Sequence, residues 1–152
     1  MNILDDIKAI KKLDKSNMIR SIDLLHKQIE QAWNETKGIK FPASYREINK
    51  VVVNGMGGSG LGAHIIQSLY FNELKIPLVN INSYNLPGMV DKNTLYIISS
   101  YSGGTEEPLE TFGQAKKIGT KILGITTGKK LGELISSGKV IGYLFSPKYN
   151  IC

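Results

Sequence analysis

The stretch Val51-Val52-Val53-Asn54-Gly55-Met56-Gly57-Gly58-Ser59-Gly60 decides the fold. Three β-branched residues in a row suit a short buried strand. Four glycines follow, and they let the backbone come close to a bound anion and adopt φ > 0. Leu61–Phe71 reads as a helix directly after the turn. Strand, glycine turn and helix in that order begin a βαβ unit.

The same alternation continues outward from this unit. Ile48–Asn54, Leu78–Ile81, Leu95–Ser99, Lys121–Ile125 and Val140–Leu144 are short apolar runs. Leu61–Phe71, Glu106–Ile118 and Lys130–Ser136 are helical windows between them. Continuous apolar strands alternating with helices imply a parallel sheet covered on both faces. Right-handed crossovers then give a doubly wound, three-layer α/β/α sandwich with a five-stranded parallel sheet.

Two helices are expected before the sheet. Leu4, Ile7, Ile10 and Leu13 form one apolar stripe, and Met18, Ile22, Leu25, Ile29 and Trp33 a second. Ser16 or Asn17 is expected to cap the second helix, Gly38 to end it, and Trp33 to anchor a core. The expected organisation is a helical segment, 1–40, packing on an α/β domain, 41–152.

Composition narrows the class. A chain of 152 residues has room for one domain. Its 16 glycines exceed the roughly 11 that average usage of about 7% predicts. No apolar run reaches about 18 residues, so no membrane span is expected. A single cysteine, Cys152, excludes an internal disulfide and suits a reducing cytoplasm. The net charge of +6 is spread evenly: residues 1–50 carry 10 basic and 7 acidic groups, residues 51–152 carry 9 and 6. Nucleic-acid binding would need a concentrated basic face with aromatics, and none is visible.

The glycine turn suits an anion, because free N–H groups at a helix start point at it. Gly55, Gly57 and Gly60 also match the dinucleotide pattern G-x-G-x-x-G. That reading needs an acid about 20 residues on, near the end of the second strand, and Asn80-Ile81-Asn82-Ser83 has none. A Walker A lysine is absent too, since Leu61 follows Gly60. A tight turn without ligand remains an alternative.

A second loop, Ser100-Tyr101-Ser102-Gly103-Gly104-Thr105, lies between the third strand and its helix. Its hydroxyls and glycines suit a phosphate oxygen. Capping by Thr105 would explain one hydroxyl and leave Ser100, Ser102 and both glycines unused. In a doubly wound sheet both loops can open on one crevice.

These residues resemble the sugar isomerase (SIS) domain. Gly55–Gly60 with Ser100–Glu107 is closer still to the bifunctional phosphoglucose/phosphomannose isomerase family. Ser83–Pro87 and Thr126–Gly128 resemble that family's second- and fourth-strand exits. The resemblance implies the SIS fold and a hexose 6-phosphate held by Gly57, Gly58, Ser59, Ser100, Ser102 and Thr105. It implies aldose–ketose isomerisation of glucose or mannose 6-phosphate to fructose 6-phosphate through an enediol, with no metal or cofactor. It also implies a homodimer, or pairing with a second SIS domain, and no nucleic-acid or membrane partner.

There are departures from the family. Gly104 stands where Asn is usual, Pro108 where Thr is usual, and His64 where Asp is usual. The family's catalytic Glu and His lie in a second domain, and its Arg in a Pro-Arg pair beyond the position of Cys152. The expectation is therefore a binding-competent domain with no catalytic residue of its own. Glu106 and Glu107 suit the dipole of the helix they start, and His64 a solvated helix face. A phosphosugar-sensing module is the alternative, with a dinucleotide enzyme behind it.

Overall fold

The computed structural model describes residues 3–150, and Cys152 lies outside them. Two compact units emerge: residues 39–145, and residues up to 38 together with those after 145.

The larger unit is the α/β domain. Its strands are β1 (Lys50–Asn54), β2 (Leu78–Ile81), β3 (Thr94–Ser99), β4 (Lys121–Thr126) and β5 (Ile141–Leu144). They form one parallel sheet in the order β2-β1-β3-β4-β5. The helices of the smaller unit are α1 (Ile7–Leu13), α2 (Met18–Asp23) and α3 (Leu25–Thr36). Those of the domain are α4 (Gly58–Leu69), α5 (Glu106–Ile118) and α6 (Lys129–Ser136). The doubly wound sheet expected from the alternation is therefore present.

The strand order sets the two faces. From β1 the chain steps outward to β2, whereas from β3 it steps the other way to β4 and β5. Right-handed crossovers then put α4 on one face and α5 with α6 on the other. The core lies under α5 and α6: Val52, Tyr96, Ile98, Ala115 and Leu131 are fully buried there. Gly124 lets α6 settle on the sheet, because a Cβ there would crowd Leu131 and Ile135.

α5 shows how the local sequence matches its place. Glu106 and Glu107 open it, Lys116 and Lys117 close it, and Gly119 ends it in a left-handed conformation at φ 82°. Both charge placements favour the helix dipole. Pro108 sits in the first turn, where its missing N–H has no helical partner to lose. Pro108, Thr111 and Ala115 form the buried stripe.

Thr111 ties the two layers together. Its hydroxyl donates to the Glu107 carbonyl at 2.8 Å, accepts from Asn54 Nδ2 at 2.9 Å, and shares a hydrogen bond with the Tyr96 hydroxyl. One donation and two acceptances saturate a hydroxyl. Asn54 Nδ2 also reaches the Ser83 carbonyl at 2.9 Å. Burial pushes the Tyr96 hydroxyl above its ordinary pKa, with Thr111 and Asn54 pulling it partly back.

The smaller unit departs from expectation in three ways. The second stripe does not form one helix; it breaks at Leu24 into α2 and α3. Asn17 occupies the cap position in a left-handed conformation, but Asp14 does the capping. Its carboxylate accepts from the Met18 and Ile19 amides at 2.7 and 2.9 Å. Trp33 is 69% exposed, with the Lys37 ammonium 5.5 Å from its ring, so it anchors no core in the single chain. The apolar spacing marked a packing face, but nothing in these helices covers it. Residues after 145 join them through Gln31 Nε2, which donates to the Ser146 carbonyl at 2.9 Å.

Replacing Thr111 by Val keeps the shape and removes the hydroxyl. It should destabilise the domain by about 2 kcal/mol, the cost of buried polar groups left unpaired. Urea denaturation should show a lower midpoint with an unchanged slope.

Candidate functional site

β1 and β3 are neighbours, and the chain leaves them in opposite directions. That is the topological switch where an open α/β sheet forms its crevice. The loop after β1 (55–60) and the loop after β3 (100–105) both open there. They touch: the Tyr101 amide donates to Ser59 Oγ at 3.2 Å.

Glycines shape the first loop through close approach. A Cβ on Gly60 would come within 2.6 Å of the Gly55 carbonyl oxygen, and one on Gly55 within 2.7 Å of the Ser59 backbone. Gly57 has φ 54° and ψ −128°, a conformation that only glycine adopts without strain. Gly57 and Gly58 are exposed, and Ser59 is half-buried. The first turn of α4 therefore presents its backbone to the crevice.

The second loop is braced from inside. Ser100 is only 3% exposed. Its hydroxyl shares a 2.8 Å hydrogen bond with Thr105 Oγ1 and accepts from the Gly103 amide at 3.1 Å. Ser102 is exposed, and its hydroxyl accepts from the Gly104 amide at 3.3 Å. Ser100 is thus placed as a brace for the loop, while Ser59, Ser102 and Thr105 carry the hydroxyls nearer its surface. Thr105 occupies the cap position of α5 without a side-chain capping bond, so capping does not consume its hydroxyl.

A third segment supports this loop, and the sequence reading gave it no role. Thr127 Oγ1 donates to the Tyr101 carbonyl at 2.7 Å, and its amide does so at 3.0 Å. The Leu131 amide donates to the Gly103 carbonyl at 3.0 Å. Gly103 has φ 72°, and a Cβ there would overlap the Gly128 carbonyl oxygen. The β4 exit, Thr126-Thr127-Gly128, therefore sets the height of the second loop. The sequence signals were its Thr-Thr-Gly composition at a strand end and its resemblance to the family's fourth-strand exit.

A cavity of about 500 Å³ lies beside the loops. Ser59 and Gly58 line its polar end, and Met56, Tyr101, Ile125 and Phe145 its apolar wall. Tyr101 meets Phe145 edge-on at 6.1 Å between ring centroids. None of its lining residues is a carboxylate, an imidazole or a cation. His64, on the β2 side of α4, has its Nε2 2.7 Å from Asn80 Nδ2 and does not line this cavity. Glu106 instead meets the Tyr84 hydroxyl at 3.5 Å. Desolvation, with Glu107 and Glu106 adding to it, raises the Tyr84 pKa.

A parallel sheet in this order, with two glycine- and hydroxyl-rich loops joined at its switch point, defines a SIS-type α/β domain. Solved structures agree on the fold. One is a chain from Bacteroides fragilis assigned as a phosphosugar isomerase involved in capsule formation, with TM-score 0.54 and 19% identity over 86% of this chain and 81% of that one. Another, from Listeria monocytogenes and assigned as a sugar-phosphate isomerase, gives TM-score 0.51 and 21% identity over 84% and 70%.

In sequence, the chain belongs to the bifunctional phosphoglucose/phosphomannose isomerase family over the stretch that matches. The Caldicellulosiruptor bescii member is 42% identical over 116 residues, which is 76% of this chain and 34% of that protein. The Thermoplasma acidophilum member is 34% identical over 124 residues, 74% of this chain and 39% of that protein. The match thus spans little more than a third of these relatives. No family model matches the chain.

The bracing of the second loop makes a contrast between two glycines. Gly103→Ala should lower the melting temperature markedly, since left-handed strain of about 1–2 kcal/mol adds to a backbone clash. Gly58→Ala, whose Cβ would meet nothing within 4 Å, should leave the melting temperature nearly unchanged. Thermal denaturation of both variants followed by circular dichroism checks this.

Proposed function

We propose that this domain binds hexose 6-phosphates at the joined loops. The observation that carries the reading is the Ser59–Tyr101 contact, which brings two anion-suited loops to one crevice. The phosphate is held by the backbone of Gly57 and Gly58 and by the hydroxyls of Ser59, Ser102 and Thr105, with Ser100 holding Thr105 in place. N–H groups at the starts of α4 and α5 add their dipoles to the same charge. The sugar lies along the apolar wall made by Tyr101, Ile125 and Phe145.

The reaction served is the interconversion of glucose or mannose 6-phosphate with fructose 6-phosphate through an enediol. That chemistry needs a base near C2 and a cation for the enediolate. The cavity lining offers neither. This supports a domain that binds substrate and takes its catalytic groups from elsewhere, in a second SIS domain or a second copy. The division into a helical segment, 1–40, and a SIS domain, 41–152, and a cytoplasmic setting belong to the same proposal.

Calorimetry with fructose 6-phosphate tests the site. Ser59→Ala and Ser102→Ala should each weaken binding by about 1.5–3 kcal/mol, as expected for hydrogen bonds to a charged group. Unchanged affinity in both variants would remove the site. A coupled isomerase assay on the 152-residue chain, read beside the calorimetry, tests the missing chemistry. Binding without turnover is expected; turnover would show that the chain carries its own base.

A further inference from the structure

Lys129 breaks two local rules at once. It opens α6 with φ 47°, and Asn17 is the only other non-glycine with positive φ among the described residues. Asparagine tolerates that region because its short polar side chain bonds locally, whereas lysine carries the strain uncompensated. A cation also stands at the positive end of the α6 dipole, where an acid would be favoured. Backbone strain of this kind clusters at active sites and ligand clamps.

The side chain shows what the strain places. A Cβ on Gly104 would lie 2.8 Å from Lys129 Cδ and 3.6 Å from its Nζ, so the lysine packs against the second loop at Gly104. Glycine leaves room for it. Asparagine, the family's usual residue there, would push the lysine stem away. Lys129 Nζ has no hydrogen bond or ion pair among the described residues, whereas its neighbour Lys130 meets Glu133 at 3.3 Å.

We propose that Lys129 is the cation of the phosphate site: its ammonium, laid against Gly104, pairs with the phosphate held by Ser102 and Thr105. The proposal rests on the hexose-phosphate reading above and supplies the charge that reading lacks. The groups given to the phosphate there are amides and hydroxyls, all neutral. Glu106 and Glu107 open α5 at the end of the same loop. A dianion beside two carboxylates is held better with a counter-charge at hand. The sugar is not its target, because Lys129 does not line the cavity of Tyr101, Ile125 and Phe145. An ammonium on a flexible stem suits a phosphate as a point charge, with no need of a fixed fork.

Calorimetry of the 152-residue chain with fructose 6-phosphate, at low and high salt, tests the lysine. Lys129→Gln should weaken binding about tenfold, between the loss of an exposed ion pair and that of a charged hydrogen bond. It should also flatten the salt dependence of the affinity, which a merely structural role would not move. Lys130→Gln, the same charge change one residue on, should alter neither. Lys129→Gly should lose the affinity while the melting temperature holds or rises, since glycine accepts the left-handed backbone. Ser102→Ala in the same series reports on the phosphate site itself. Weakening by Ser102→Ala with Lys129→Gln at wild-type affinity overturns the role of the lysine and leaves the site standing. Equal losses in Lys129→Gln and Lys130→Gln overturn it too, because they report net charge alone. No binding by the wild-type chain overturns both readings.

Discussion

The arrangement of this domain depends on one adjacency, that of β1 and β3 at the centre of the sheet. Because the chain leaves these strands in opposite directions, their exits diverge and open a crevice that no connection covers. The Ser59 hydroxyl closes the gap by accepting from the Tyr101 amide. Behind that contact, Thr111 locks α5 to β1 and β3 through Asn54 and Tyr96. The helix whose N-terminus faces the crevice is thus fixed by a saturated buried hydroxyl.

Support for the crevice is uneven. The first loop is packed so closely on itself that Gly55 and Gly60 leave no room for a Cβ, and it is tied to β2 by the Gly55 amide, which donates to the Ile81 carbonyl at 3.2 Å. The second rests on its neighbours: Ser100 from within, and Thr127 and Leu131 from the far side of the β4 exit. A change three strands along the sheet from β2 would therefore reach the site through the backbone. The apolar wall of the cavity comes from the same direction, since Phe145 follows β5. The cavity thus combines polar and apolar residues of the β1 and β3 exits with Ile125 of β4 and Phe145 beyond β5.

Much of this was legible in the sequence, because the signals were local. Val51–Val53 suited a buried strand, and the glycines after it a strand-to-helix turn. Glu106-Glu107 and Lys116-Lys117-Ile118-Gly119 marked both ends of α5 to the residue. Where expectation missed, residue type and spacing did not single out the partner. Asp14 caps α2 from outside the helix, and so displaced Ser16 and Asn17 from that role. Trp33 keeps its helical spacing yet stays exposed, because spacing reports that a face is apolar and not what covers it.

Residue chemistry in the chain was enough for the strands, the helices of the α/β domain, the two anion-suited loops and the kinship with the isomerase family. These follow from residue chemistry acting over a few positions. Which loop hydroxyls are buried and which are exposed depends instead on packing across the sheet. Ser100 and Ser102 are two residues apart and alike in chemistry, yet one is buried as a brace and the other is exposed at the loop surface. Which is which depends on strand pairing: the Ser100 amide continues the β3–β4 ladder to the Ile125 carbonyl and draws its side chain inward. The outer face of α4 follows the same logic. Its apolar residues were visible in the chain, but only the packing of Gly60 and Ala63 against the sheet showed which of them were left facing out.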